Sequence, residues 1–372
     1  MFSAAGAVPA VVSPPAARVS ASFAAPRLMH RLAGQTMGTS WSVSLVGSPT
    51  APVDALRGRI EHALGLVVDQ MSNWEPASDL SRFNAAPAGQ WCELPAELFE
   101  VVCHGLDLAR RSGGSYDPSV GALVAAWGFG PAARRGVPPA DGEIERALAR
   151  TGWQRLKLDV AARRLLQPGG VALDLSGIAK GYAVDLVSRE LAAAGYGDTL
   201  VEIGGELKAR GRRADGQPWR VAVDAWPAAA RATAAAEAGS GTGSNAGSGT
   251  GSGTDSGTGG GAHAESSAPV IALDGAIATS GDAWHAFVSD GRRHSHTIDP
   301  RSGRTVSDAL ASVTVVHEQC MHADALATAL TVLGPIDGYD YACRHGLAAA
   351  FVRRGADGPE TLLTAPFAAL LA

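Results

Sequence analysis

The sequence has few cysteines and no long apolar run, and each absence excludes a class of protein. Its four cysteines lie far apart with no CxxC spacing. They therefore indicate neither a zinc site nor a disulfide framework, and we expect them to be small buried residues. No run of 18 apolar residues occurs, so no membrane-spanning helix is predicted.

The sequence also lacks concentrated charge of one sign and the common nucleotide motifs. It has 31 lysines and arginines against 36 aspartates and glutamates, a formal net charge of -5, with no block of like charges. Because nucleic-acid binding requires basic side chains that neutralise phosphates, we expect no nucleic-acid partner. No Walker A sequence is present, and no GxGxxG or GxSxG occurs between a predicted strand and helix, which excludes the chemistry typical of those motifs.

Two stretches are expected to lie outside the folded core. Residues 1–29 are rich in Ala, Pro, Val and Ser and lack a basic n-region and a cysteine for a lipid anchor, so we predict a disordered leader and not a secretory signal. Residues 227–268 are alanine-rich and then almost pure Gly, Ser and Thr, which cannot offset the entropy of ordering. Because strands are predicted on both sides, this is a flexible insertion in a single domain over residues 30–372.

Helical and strand patterns alternate irregularly through the rest of the chain. Without a regular βαβ rhythm, the pattern favours an α+β fold. The predicted helices cover residues 53–69, 95–112, 142–151, 178–194 and 321–333. The predicted strands cover residues 35–46, 170–175, 200–210, 219–226 and 311–316, with a small hairpin over 156–167. Gly38 interrupts the first of these strands, and the Gly204–Gly205 pair marks a bulge or a close backbone approach within the third.

The stretch from Leu173 to Ala183 (LDLSGIAKGYA) has the features of a phosphate and metal site. A predicted buried strand ends after Asp174, Ser176 is placed to cap the following helix, and Lys180 falls in its first turn. Backbone N–H groups and a cation at a helix N-terminus suit a phosphate. The alternative is an ordinary strand-to-helix turn with a surface lysine.

The helix predicted from Met321 carries a carboxylate and a hydroxyl on one face, because Asp324 and Thr328 are four residues apart. Its other residues are nearly all apolar, so the carboxylate requires a hydrogen-bonded partner or a cation. Oxygen ligands suit Mg²⁺, which completes its shell with water and substrate phosphate. The alternative places Asp324 as an early-turn residue favoured by the helix dipole and Thr328 in the core.

A third polar segment, HSHTIDP, combines histidines with an aspartate. His296 and Asp299 are close in sequence, and Asp282 follows the predicted strand that ends in ATSGD. A histidine beside a carboxylate can act as a base with an orienting partner, or the segment can be a hydrogen-bonded turn before a proline. The HxH spacing of His294 and His296 offers too few soft ligands for zinc.

Eight segments carry a more specific signal when they are taken in order. Between about residue 33 and residue 335 the chain contains QTMGTSWSV, MSNWEPASDLSRFN, YDPSVGALVAAWGFG, LDLSGIAKGYAVD, VEIGGELKARG, IATSGD, SHTIDPRSG and ADALATALTVLG. Each is weak alone, but in this order they resemble the FAD:protein FMN transferases of the ApbE family. The resemblance implies a single α+β, T-fold-like domain.

The resemblance also implies a chemistry. The family binds FAD and Mg²⁺ and transfers the FMN half to a threonine or serine hydroxyl of a target protein, releasing AMP. Family targets are redox or electron-transport flavoprotein subunits with a motif like Asp-x-x-Thr-Gly-Ala-Thr. The family is typically exported and often lipid-anchored, and this sequence shows neither feature, so the resemblance leaves its location open.

Site residues are carried over by motif. The resemblance assigns the metal to the Gly177 carbonyl, the Asp324 carboxylate and the Thr328 hydroxyl. Trp74 stands where many relatives have tyrosine, and Gly177 where others have alanine or threonine. The positions implied to contact FAD are Met37, Trp74, Ser115, Tyr116, Asp117, Asp174, Lys180 and Ile298.

A threonine hydroxyl is a poor nucleophile at neutral pH, so a base within reach would help. Our hypothesis assigns this role to His296, oriented by Asp299 or Asp282. Two other readings remain open: an FAD pyrophosphatase, in which water replaces the threonine and the products are free FMN and AMP, and an FAD-binding protein without turnover.

Overall fold

A computed structural model describes residues 27–131, 135–223, 269–281, 286–356 and 358–371. Most of the predicted leader, all of the predicted insertion over 227–268 and the candidate residue Asp282 lie outside these ranges. Within the described ranges, no helix is long and apolar enough to cross a membrane.

The fold is built on one antiparallel sheet of eight strands. Its order is β1-β2-β6-β7-β10-β15-β16-β17, and every neighbouring pair is antiparallel. These strands are β1 (Leu28–Thr36), β2 (Thr39–Gly47), β6 (Thr199–Ile203), β7 (Glu206–Arg210), β10 (Gly275–Gly281), β15 (Leu310–His317), β16 (Ala348–Gly355) and β17 (Gly358–Leu363).

Smaller strands form a three-stranded sheet and separate hairpins. The three-stranded sheet contains β3 (Trp91–Glu93), β4 (Lys157–Asp159) and β5 (Arg164–Leu166), and its β4–β5 part confirms the predicted hairpin. The hairpins are β8 (Trp219–Ala222) with β9 (Val270–Leu273), β11 (Ala286–Ser289) with β12 (Arg292–Ser295), and β13 (Ile298–Asp299) with β14 (Arg304–Thr305).

Helices cover one face of the large sheet. The described helices are α1 (Val53–Met71), α2 (Asp79–Ala85), α3 (Ala96–Arg111), α4 (Gly121–Trp127), α5 (Asp141–Leu148), α6 (Ala179–Ala193), α7 (Cys320–Arg344) and α8 (Ala365–Ala368). The main core forms where α6 packs on β6 and β7, and α7 on β10 and β15. The β8–β9 hairpin and α8 contribute to a second apolar cluster with residues of the large sheet. The predicted α+β class is confirmed.

Two predicted strands are hairpins, so these predictions were wrong. Residues 35–46 divide into the end of β1 and β2 around a turn at Met37 and Gly38, with φ of 48° and 72°. Residues 200–210 divide into β6 and β7 around Gly204 and Gly205, with φ of 59° and 98°. Two consecutive positive φ angles are typical of the type I′ turns that suit two-residue hairpins. The glycines therefore reverse the chain.

The predicted strand over residues 170–175 is also wrong. Only an isolated parallel bridge joins Val120 to Ala172. Ser176 does not cap the next helix, because α6 begins at Ala179 with Ile178 at the N-cap position and no side-chain cap. Ser176 is exposed, and its N–H donates to Asp174 Oδ1 at 2.9 Å. The segment is an ordered turn.

The helix predictions agree with the structure to within a few residues at most ends, but α7 is longer than predicted. It has 25 residues and is interrupted at Gly334, where φ is 85° and ψ is -177°, followed by Pro335. Proline lacks the N–H that an α-helix requires at that position. The interruption therefore divides α7 into a buried first half and a second half that begins at the protein surface.

Candidate active site

The turn at residues 173–178 is fixed by groups distant in sequence. The side-chain amide of Asn84 donates to the Leu173 carbonyl at 3.0 Å and accepts from the Leu173 N–H at 2.7 Å. The Asp174 N–H donates to the Pro118 carbonyl at 2.8 Å. The Asn84 side chain thus makes the two hydrogen bonds that a neighbouring strand would make to Leu173. Sequence analysis missed this role because a single side chain that satisfies a backbone leaves no periodic signal.

The start of α6 packs against α7 through glycines. The Gly181 N–H donates to Asp324 Oδ2 at 3.0 Å, and a Cβ on Gly181 would lie 2.4 Å from the Cys320 carbonyl oxygen. A Cβ on Gly177 would lie 2.9 Å from Thr328 Oγ1. The structure therefore brings together Gly177, Asp324 and Thr328, the three residues that the resemblance assigns to a metal.

A buried charge cluster adjoins these residues. Lys180 Nζ lies 2.7 Å from Glu206 Oε1, and the Glu206 side chain is only 2% exposed. Burial raises the pKa of Glu206 to about 8, against the opposing effect of the Lys180 ammonium. Burial also raises the pKa of Asp324, although the Lys180 ammonium lowers it in part. For Lys180, burial alone would lower the pKa, but the Glu206 and Asp324 carboxylates outweigh it.

Glu206 was missed by sequence analysis. It opens β7 directly after the Gly204–Gly205 turn, and its side chain faces the helices. The alternation of strand β7 could have revealed a carboxylate on the buried face, but this required recognising the glycine pair as a turn. Two buried carboxylates share one ammonium here, and burial raises the pKa of both, so the cluster favours a proton or a cation beside them.

Several buried polar atoms near this cluster have no hydrogen-bond partner within the described residues. They include Ser115 Oγ, Tyr116 Oη and Glu206 Oε2. Burial raises the pKa of Tyr116 well above its usual value, and the carboxylates of Asp324, Asp174 and Asp117 raise it further. Unsatisfied buried polar atoms are rare in native proteins and often mark the place of a ligand or ion. The effect of the Asp174 and Asp324 carboxylates on Tyr116 places these three side chains near one another.

The donor set fits a hard divalent cation. It offers a carboxylate, a hydroxyl and a nearby backbone turn, and a cation could take the place of the proton that burial favours on Asp324 and Glu206. Mg²⁺ in proteins is usually bound by one or two carboxylates and completed by substrate phosphates. No group of three or more His, Cys, Asp or Glu residues forms a metal site in the described ranges.

Other residues predicted to contact FAD lie in different settings. Asp117 is occupied by the protein: its carboxylate accepts from the Ser119 N–H and Oγ at 2.8 and 2.6 Å and from the Trp153 N–H at 3.0 Å. Trp74 is 61% exposed on the loop between α1 and α2. Met37 is half-buried in the β1–β2 turn. An exposed indole is available for stacking, whereas Asp117 orders its own loop.

The HSHTIDP segment divides into core and surface residues. His294 is buried against Phe287, with ring centroids 5.1 Å apart, and burial lowers its pKa. Ile298 is buried beside α4 and α5. Both carboxylate oxygens of Asp299 bind Arg301, at 2.9 and 3.0 Å. The His296 ring lies 6.4 Å from that of Phe129. The catalytic assignments of His296, Asp299 and Asp282 stay predictions.

A second buried ion pair holds the first turn of α7. Asp185 Oδ1 accepts from Lys208 Nζ at 2.6 Å, and its Oδ2 accepts from the Met321 N–H at 2.9 Å. Asp185 thereby compensates the free N–H groups that every helix presents at its start. It ties α6 and β7 to the helix that carries Asp324.

Replacing Asp185 with asparagine should lower the free energy of unfolding by about 3 kcal/mol, the lower end for a broken buried pair, because it leaves the Lys208 ammonium buried without its partner. Guanidinium denaturation would measure this. The double variant Asp185→Asn, Lys208→Met is the matched control and should recover most of the loss. A single variant as stable as the wild type would show that the ion pair does not hold α7.

Comparisons with known proteins agree on one family. A sequence model of the ApbE family matches residues 37–351. An FAD:protein FMN transferase of Vibrio cholerae serotype O1 is 33% identical over 338 residues, covering 90% of this chain and 91% of that protein. The family match includes every residue predicted for the site.

Solved structures give the same result. The apo flavinyl transferase ApbE of Pseudomonas stutzeri is 38% identical with a TM-score of 0.77, covering 93% of this chain and 97% of that one. The flavin transferase ApbE of Vibrio cholerae is 32% identical with a TM-score of 0.78, covering 93% and 100%. The fold and the sequence thus point to the same relatives over nearly their full lengths.

Proposed function

Because the chain belongs to the ApbE family, we propose that it transfers the FMN half of FAD to a threonine or serine hydroxyl of a target protein and releases AMP. Its relatives carry the name FAD:protein FMN transferase. The observation that supports the proposal here is the convergence of Asp324, Thr328 and Gly177 beside Lys180, in a pocket with unsatisfied buried oxygens.

The reaction exchanges one phosphorus–oxygen bond for another. The hydroxyl oxygen attacks the phosphorus of the FMN half, the bond from that phosphorus to the bridging oxygen breaks, and the bridging oxygen leaves with AMP. The hydroxyl proton is taken up by a base. Such reactions are accelerated mainly by positioning and by neutralising charge on the phosphate oxygens.

Different residues would bind the metal, the phosphates and the flavin ring. Asp324, Thr328 and the Gly177 carbonyl would hold Mg²⁺, which when bound neutralises charge on the pyrophosphate. Lys180 presents an ammonium from the first turn of α6 and keeps its proton because Glu206 and Asp324 raise its pKa. Glu206 anchors that ammonium. The exposed Trp74 is available to stack on the flavin ring.

Replacing His296 with alanine should lower the turnover number by about 100-fold or more while FAD affinity is unchanged, since a general base contributes about 10²–10⁴ in rate. The turnover number is measured from AMP release in a discontinuous assay, and FAD affinity is measured by fluorescence titration. Full transfer activity in this variant, with normal FAD binding, would remove His296 from the mechanism.

One incubation distinguishes the competing functions. The protein is mixed with FAD, Mg²⁺ and a peptide that carries Asp-x-x-Thr-Gly-Ala-Thr, and the products are separated. AMP with peptide-bound FMN supports the transferase. AMP with free FMN alone would indicate a pyrophosphatase, and no AMP would indicate a binder. A chelator should abolish AMP formation, and added Mg²⁺ should restore it.

The proposed partner is a target protein with an accessible flavinylation motif, a redox or electron-transport flavoprotein subunit. The same incubation with intact candidate proteins, followed by intact-mass measurement, would identify it by the added mass of FMN. A candidate whose motif threonine is replaced by alanine should gain no mass.

A further inference from the structure

A cavity of about 390 Å³ lies between the β13–β14 hairpin and the interruption of α7. Hydroxyl side chains of Ser302, Thr305 and Thr331 line it together with the apolar side chains of Val332 and Ile336. Its volume lies in the range of small-ligand pockets, which suits a few residues of peptide with small side chains. We call it the α7 groove.

The α7 groove continues from the proposed active site. Thr331, on its wall, is three residues after Thr328, which corresponds to a rise of about 4.5 Å along the helix. A group bound in the groove is therefore about one helical turn from the proposed metal ligand. The groove and the proposed metal ligands Asp324 and Thr328 therefore share the first half of α7.

The lining of the α7 groove carries little net charge. Its charged lining residues are Asp299 and Asp337, and none of the described residues that line it is a lysine or arginine. The Arg301 guanidinium binds both oxygens of Asp299, at 2.9 and 3.0 Å, and Asp337 also acts on it electrostatically, so the acidic side chains of the groove are largely neutralised. Hydroxyls and apolar side chains suit an uncharged peptide.

The interruption of α7 also offers a backbone partner. Pro335 has no N–H, so the Thr331 carbonyl lacks its usual donor from the residue four positions later. That carbonyl belongs to a residue lining the groove. A peptide N–H can donate to it, as in other complexes in which an extended segment pairs with exposed backbone groups.

From these observations we propose that the α7 groove binds the acceptor segment of the target protein, as an extended, uncharged stretch with small side chains beside the reacting hydroxyl. The proposal rests on the transferase function proposed above. Ile336, 72% exposed at the rim of the groove, contacts the acceptor segment.

The test compares Ile336→Glu with Val160→Glu. Val160 is 67% exposed on the β4–β5 turn, outside the groove, and is the matched control. With the Asp-x-x-Thr-Gly-Ala-Thr peptide, Ile336→Glu should raise the KM for peptide at least about tenfold, with the Kd for FAD unchanged. Val160→Glu should leave both constants unchanged. A photo-crosslinking amino acid at position 336, but not at 160, should capture the peptide.

The outcomes separate the two proposals. Absence of FMN transfer by the wild type would overturn the function and the groove together. Transfer by the wild type with an unchanged peptide KM in Ile336→Glu would overturn the groove alone. Weaker FAD binding in Ile336→Glu would also overturn it, because the groove would then hold part of the dinucleotide.

Discussion

Replacing Asp324 with asparagine is expected to reduce FMN transfer by at least about 100-fold without lowering the melting temperature. In the wild type the Gly181 N–H donates to Asp324 Oδ2 at 3.0 Å. The side-chain amide oxygen of asparagine can still accept this hydrogen bond, so the contact between α6 and α7 is kept. The variant loses a buried carboxylate whose pKa is raised by burial, which removes a desolvation cost. It also loses the negative ligand on which charge neutralisation at the phosphates depends.

Two measurements test this prediction. Turnover is measured at saturating FAD and Mg²⁺, and thermal unfolding is followed with and without Mg²⁺ and FAD. The wild type should be stabilised by Mg²⁺ and FAD together more than by FAD alone, because a ligand that binds the native state raises its stability, and the Asp324→Asn variant should lack this Mg²⁺-dependent gain. Asp185→Asn is the matched control: it should be less stable but still respond to Mg²⁺. An equal Mg²⁺ response in Asp324→Asn would disprove the metal assignment.

Replacing Lys180 with methionine should weaken FAD binding by about 10- to 100-fold, since a hydrogen bond to a charged group contributes about 1.5–3 kcal/mol. The structure predicts a second effect, because Glu206 would lose its ammonium partner. Above pH 8, where Glu206 is ionised in the folded wild type, we expect a loss of up to about 3 kcal/mol in unfolding free energy, the lower end for a buried pair, because the Lys180 side chain is 33% exposed.

The stability loss in Lys180→Met should depend on pH. An acid whose pKa is higher in the folded state stabilises the protein when protonated, and this contribution is lost as pH rises from the unfolded pKa toward the folded one. For Glu206 these values are 4.5 and about 8, and removing Lys180 raises the folded value further. The variant should therefore approach wild-type stability near pH 4.5 and lose most above pH 8.

The double variant Lys180→Met, Glu206→Gln separates stability from binding. It has no unpaired buried carboxylate at position 206, so guanidinium unfolding should show nearly wild-type stability with little added pH dependence between pH 5 and 9. Its FAD affinity should remain as low as that of Lys180→Met. If the double variant also recovers FAD affinity, Lys180 acts only through the fold.

Periodic elements were predictable from the sequence, and chain reversals were not. The amphipathic spacing of Leu56, Ile60 and Leu64 placed α1 correctly. The Met37–Gly38 and Gly204–Gly205 turns lie inside runs that read as continuous strands, because a two-residue turn hardly interrupts the alternation on either side. The strand predicted over residues 170–175 was wrong for the opposite reason. Its apolar residues are buried without a neighbouring strand, and the Asn84 side chain makes the backbone hydrogen bonds instead.

Residue types and their spacing predicted only part of the candidate site. The pairing of Asp324 with Thr328 followed from helical spacing, but spacing alone could not place Gly177 beside them, since the contact joins residues 151 positions apart. The ApbE resemblance supplied that link, and family membership and the transferase assignment are confirmed by the relatives. Glu206 lies in the VEIGGELKARG segment, but the resemblance assigned it no role, because that role depends on which face of β7 meets α6.

The hydrogen bond from Gly181 to Asp324 also bears on how the chain folds. It joins residues 143 positions apart, and residues 227–268 fall between them. Closing a loop costs entropy that grows only with the logarithm of its length, so those residues lengthen the loop from about 100 to 143 positions at a cost of only ~0.3 kcal/mol. The two halves of the site can therefore tolerate large changes in the length of the chain between them, and selection on that length is correspondingly weak.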